Sequence, residues 1–122
     1  MLLGIYKQED KYPKGSRAAA RGSFYADLVS TKGIEVGAMF LKLAKEAGFT
    51  PAQLGVLWSK DQPGVTAPLI GPQTLDHLED LIPVLNMTLS DELRNACDIL
   101  VSPGSAVADF HNTAGWMKQK LL

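Results

Sequence analysis

One short apolar run limits the folds open to this chain. VTAPLIG, Val65 to Gly71, is the only stretch that reads as a convincing strand, over residues 65–70. It is apolar almost throughout, the pattern of a strand covered on both faces, as in a parallel sheet. Such a strand must hydrogen-bond to neighbours along both edges. Apart from MLLGIY at the start, the 122 residues offer no segment suited to that role. The pattern therefore implies a piece of something larger.

Composition narrows the function classes. A chain of this length can bury about two-thirds of its unfolded surface, so a core is feasible. The net charge is −1 and there is no basic block. That argues against nucleic acid or an anionic membrane as the main partner. No apolar run approaches the ~20 residues needed to span a bilayer. The apolar stretch of MLLGIYKQEDK is too short for a signal peptide. The one cysteine, Cys97, excludes an internal disulfide and a cysteine-rich zinc site. A cytoplasmic protein is the expectation.

Around the strand the chain reads as helices. Residues 1–32 form a loop, because Pro13, Gly15, Ser16 and Gly22 interrupt a basic, aperiodic stretch. Residues 33–64 hold two helices. The first has Ile34, Met39, Phe40, Leu43 and Ala47 near a 3.6-residue repeat and stops at Gly48. The second opens on Thr50-Pro51-Ala52-Gln53, a capping box with proline at the first helical position. Its apolar stripe is Leu54, Leu57 and Trp58, and Asp61-Gln62-Pro63-Gly64 ends it. Residues 74–101 hold two more helices. Thr74 caps one, with Leu75, Leu78 and Ile82 inward and Pro83 as its kink or end. Ser90 caps the other, with Asp91 and Glu92 in its first turn and Leu93, Ala96, Cys97 and Leu100 inward. Residues 102–122 form an irregular tail with Trp116 as an anchor.

The strand-to-helix junction is the candidate site. The first N–H groups of a helix lack internal partners, so this turn suits an anion. Gly71 allows close approach to the backbone, and Gln73 and His77 add side-chain donors. The plainer reading is that Gly71 and Thr74 only make the turn.

At these residues a resemblance emerges. GFTPAQLGVLWSKDQPGVTAPLIGPQTLDHLEDL resembles the last barrel unit of the aldo/keto reductases. LSDELRNACDILVSPGSAV is similar to that family's terminal helix and its S-P-P-G tail, and LLGIYKQEDKYPKGSR to its L-T-G-K-Y loop. The resemblance implies an α/β fold, a (β/α)8 TIM barrel, of which this chain would be the truncated C-terminal third. Residues 1–32 would follow the seventh strand and 65–70 would be the eighth. Met1 would fall inside the family pattern. A complete barrel of this kind takes about 250 residues.

The resemblance also implies an NADP(H) cofactor and reduction of a carbonyl to an alcohol in the intact parent. The adenosine end of the cofactor would meet Gly71, Gln73, His77 and Asp80, with Leu3 and Gly4 in the leading loop. Several positions depart from the family pattern. Gln73 replaces an arginine that would face a 2′-phosphate, and so removes a fixed charge and a bidentate donor. Leu81 replaces an asparagine that would reach the adenine, and Ile5 a lysine near the pyrophosphate. These departures weaken phosphate and adenine recognition.

No catalytic residue is expected in this chain. The family's Asp, Tyr, Lys and His lie upstream of the matching part. Tyr6, Tyr12 and Tyr25 sit in a loop that offers no dry, rigid pocket to tune a phenol. Cys97 lies on an apolar stripe and reads as a core residue; His111 reads as a polar tail residue. Lys7, Lys11, Lys14, Arg17 and Arg21 read as a solvated loop face before they read as phosphate ligands. The expected partners are a nicotinamide dinucleotide and the missing N-terminal part of the barrel. The alternative is a non-catalytic helical module, or a split-barrel half, that binds a nucleotide or another polypeptide.

Overall fold

The computed structural model describes residues 5–10, 12–22, 25, 29–102 and 107. These residues form helices α1 (Arg17–Arg21), α2 (Thr31–Glu46), α3 (Pro51–Lys60), α4 (Leu75–Leu81) and α5 (Asp91–Leu100), with a 3₁₀ turn, Ile82–Asn86, following α4. No strand occurs among the described residues.

Local chemistry accounts for the helix ends. Ser16, Ser30, Thr50, Thr74 and Ser90 each accept a hydrogen bond from the backbone N–H three residues on. Each thereby satisfies one N–H that has no partner inside its helix. At Thr50 the box closes fully, because Gln53 Oε1 also accepts from the Thr50 N–H at 3.1 Å. The end of α2 is a Schellman motif. Gly48 takes φ +78°, Gly48 N–H donates to Lys45 O, and Phe49 N–H donates to Ala44 O at 2.9 Å. Phe49 then folds back against the core.

The core gathers Phe40 and Ala44 of α2, Leu54 and Leu57 of α3, Val84 of the 3₁₀ turn, Leu89, and Cys97 of α5. Helix α2 packs on α3 and α5, and α3 packs on α4 and the turn. A smaller cluster of Ala18, Val29 and Ile34, with Tyr6 against it, ties α1 to the start of α2. Polar bonds reinforce the larger cluster. Trp58 Nε1 donates to Asp98 Oδ1 at 3.1 Å, joining α3 to α5. At the end of α3, Asp61 Oδ2 accepts from the Leu89 N–H and Asp61 Oδ1 meets Lys60 Nζ, both at 2.6 Å.

Four expectations need correction. The eighth strand at 65–70 is not formed. A strand exists only where neighbours accept and donate along its edges, and the described residues supply none. Nor is the run covered on both faces: Leu69 is fully exposed and Val65 and Ile70 are about two-fifths exposed. The leading loop contains α1, built on RAAAR behind the Ser16 cap; alanine has the highest helix propensity, and the three alanines outweigh the glycines on either side. The inward face of α2 is Ile34, Val36, Phe40 and Ala44, whereas Met39 is exposed because it lies about 100° around the helix from Phe40. In α4 only Leu78 is even half-buried among the expected inward residues. Leu75 and Ile82 are exposed because, among the described elements, α4 packs mainly on α3 and the turn. Pro83 does end the α-helix, which tightens into the 3₁₀ turn at Ile82. The tail residues His111 and Trp116 lie outside the described residues.

Candidate functional site: a cleft between α3 and α4

A cleft of about 490 Å³ opens where the 65–74 segment crosses from α3 to α4. Its α3 wall is Pro51, Ala52, Gly55 and Val56; its α4 wall is His77, Asp80 and Leu81; Ile70, Gly71 and Pro72 close one end. The size suits part of a small organic ligand. Most of the lining is apolar, and His77 and Asp80 are its ionisable groups.

The candidate residues therefore divide into three groups. Gly71, His77 and Asp80, with Leu81, come together around one cleft. Gln73 is exposed and does not line it. Leu3 and Gly4 lie outside the described residues. A Cβ at Gly71 or at Gly55 would meet no heavy atom within 4 Å, so neither glycine is required by packing in this structure.

Asp80 has partners that sequence reasoning missed. Thr50 Oγ1 donates to Asp80 Oδ2 at 2.8 Å, and Gln53 Nε2 donates to Asp80 O at 2.8 Å. The capping box of α3 thus also grips α4. A signal was present in the sequence: a capping-box glutamine spends its oxygen on the cap and leaves its amide N–H₂ to find a partner. Which residue it finds depends on packing across a separation of 27 residues. The contribution of α3 to the cleft was missed for the same reason.

Other reactive groups are committed to structure. Cys97 is buried, and burial, with the Asp98 charge adding to it, pushes its thiol above the ordinary value. It is therefore a weak nucleophile. Hydrogen bonds from its own backbone N–H and from Ser90 hold the Glu92 carboxyl below its ordinary value at the start of α5. Arg17 and Arg21 both lie over the Tyr25 ring, at 5.6 and 5.8 Å. No cluster of metal-ligating side chains occurs among the described residues, and no helix among them is long and apolar enough to cross a membrane.

The described residues thus define a helical unit with a ligand-sized cleft between successive helices. A family model described as the aldo/keto reductase family matches residues 2–102, so the chain belongs to the aldo/keto reductase family. It is similar to an uncharacterized oxidoreductase, YrpG, of Bacillus subtilis (strain 168), with 36% identity over 90 residues. That alignment covers 73% of this chain and 27% of the relative. It is also similar to protein tas of Escherichia coli (strain K12) and of Shigella flexneri, at 28% identity over 95 residues, covering 75% of this chain and 28% of each relative. The chain therefore spans little more than a quarter of the length of these relatives. No solved structure matches it. The family implies a (β/α)8 barrel; the described residues are helical, with no strand among them.

Proposed function

We propose that this chain forms the cofactor-adenosine end of an NAD(P)H-dependent carbonyl reductase, as the C-terminal part of an incomplete barrel. The observation that carries the reading is the cleft. Within a chain of this family, it gathers Gly71, His77 and Asp80 beside a mainly apolar α3 wall.

The lining fits one portion of the cofactor better than another. Mainly apolar walls with His77 as a polar edge suit a heteroaromatic ring. A 2′-phosphate calls for a cation or a cluster of N–H donors, and no lysine or arginine lines the cleft. Gln73, at the family's arginine position, stays in solvent. When bound, the dinucleotide would supply the hydride that reduces the carbonyl. This chain's own residues would hold the adenosine end, with Gly55 and Gly71 leaving the walls open. The family's general-acid Tyr, the Lys and Asp that tune it and the His that orients the substrate belong to segments that this chain does not match.

The test is a titration of the ¹⁵N-labelled chain with NADP⁺, NAD⁺ and adenosine. Shifts should concentrate at Gly55, Gly71 and His77. NADP⁺ and NAD⁺ should differ by less than about threefold in affinity, under ~1 kcal/mol. The chain alone should not oxidise NADPH in the presence of aldehydes. Shifts elsewhere, or a tenfold preference for NADP⁺, would overturn the assignment.

A second reading rests on a different observation. Leu69, Leu75, Leu85 and Ile99 are all more than 70% exposed. Large apolar side chains in water favour association. In this reading another polypeptide covers them, and the chain is one half of a split barrel.

A further inference from the structure

We propose that Thr50 and Gln53 are positioning residues for the α3–α4 cleft, and that Asp80 is their anchor and not a nucleotide contact. The inference rests on the reading of the cleft as the adenosine site, but it is tested separately from it. Its basis is the pair of 2.8 Å bonds that link the two walls, Thr50 Oγ1 to Asp80 Oδ2 and Gln53 Nε2 to Asp80 O.

Each donor has a second commitment, and this couples the cap of α3 to α4. Thr50 Oγ1 accepts from the Gln53 N–H while its own hydrogen goes to Asp80. Gln53 Oε1 accepts from the Thr50 N–H while its amide N–H₂ goes to the Asp80 carbonyl. The start of α3 therefore cannot form its cap and rotate away from α4 without losing bonds at both residues. Pro51 and Ala52, between these donors, line the cleft on one side, and Asp80 lines it on the other. The spacing of the walls is set by these bonds. The Asp80 carboxylate is partly spent on Thr50, so a nucleotide that used it would have to compete with the clamp.

Thr50→Asp separates the clamp from the cap. Aspartate is as good an N-cap as threonine, but it has no hydrogen to donate and its charge repels Asp80. Thr50→Ser keeps both functions. Adding Asp80→Asn to Thr50→Asp restores a donor–acceptor pair with its direction reversed. The readouts are adenosine affinity, helical content, and amide exchange over residues 77–81. Thr50→Asp should keep its helical content and bind adenosine about fivefold more weakly, the worth of one hydrogen bond of ~1 kcal/mol. Thr50→Ser and the double variant should recover to within about twofold of the parent, a difference under ~0.5 kcal/mol. Wild-type affinity in Thr50→Asp would overturn the positioning role. If the parent chain binds no adenosine, the functional reading fails, and amide exchange still decides the clamp. Exchange should then rise about fivefold in Thr50→Asp and fall back in the double variant; no change would overturn it.

Discussion

Asp61 carries more structure than its place at the end of α3 would indicate. Its carboxylate takes the Lys60 ammonium on one oxygen and the Leu89 N–H on the other, and its carbonyl lies 3.5 Å from Arg94 Nη2. The carboxylate thus fastens the segment before α5 to the end of α3. Lys60 foremost, then the Leu89 N–H, holds the carboxyl below its ordinary value of 3.8. The sign of the pH effect follows from a folded value lower than the unfolded one. The stabilisation is fully present above the unfolded value and is lost as pH falls through the folded value. Asp61→Ala should lower stability by about 1–3 kcal/mol at neutral pH, because the side chain is largely buried and leaves the Leu89 N–H without its acceptor. Urea melts at pH 7 and below pH 4 should show the variant losing less stability on acidification than the parent. Equal losses would remove Asp61 from the account. At this scale the sequence was legible where chemistry is local. Thr50, Thr74, Ser90 and Gly48 were readable because a cap is decided within about four residues. Asp61 and Asp80 were not, because their partners Leu89 and Thr50 are brought to them by packing.

Helix α3 contains Gly55 on the wall of the cleft. Glycine inside a helix costs about 1 kcal/mol relative to alanine. Packing does not require it here, since a Cβ would meet no heavy atom within 4 Å. Gly55→Ala should therefore stabilise the chain by about 0.5–1 kcal/mol, seen as a higher urea midpoint at unchanged slope. If the cleft holds a nucleotide against that wall, the same variant should weaken adenosine binding while raising stability. Loss of stability would show that the wall at Gly55 does not tolerate a Cβ. The elements also show where periodic patterns mislead. The pattern at Ile34, Phe40 and Leu43 gave the right helix but included Met39, one residue out of phase with the buried face. RAAAR was overlooked because glycine and proline around it signal loop, while three alanines and the Ser16 cap suffice for a short helix. The 65–70 run has the apolar content of a buried strand. Strand formation depends on partners, which a local pattern does not supply.

At the scale of the whole molecule, the core and the surface make different demands. Leu54 and Leu57 are fully buried, and they hold α3 at the centre of one continuous cluster. Leu69, Leu75 and Leu85 are 103%, 74% and 75% exposed. Each forgoes roughly 1.5–3 kcal/mol of transfer free energy that burial would provide. A chain with three such residues gains by covering them, against other copies of itself or against the polypeptide that completes a barrel. Replacing all three with Gln removes that gain and leaves the core untouched. The purified chain should self-associate in light scattering as its concentration rises. The triple variant should stay monomeric to at least about tenfold higher concentration, a shift of ~1.4 kcal/mol or more. Its unfolding free energy should fall within about 0.5 kcal/mol of the parent per substitution, as expected for exposed sites. A parent chain that is monomeric at high concentration and melts sharply would show that these leucines need no cover, and the incomplete-barrel reading would then lose its main physical support. Association that survives the triple substitution would instead move the interface to the other exposed apolar residues, of which Ile99 of α5, at 82%, is the most exposed among the described residues.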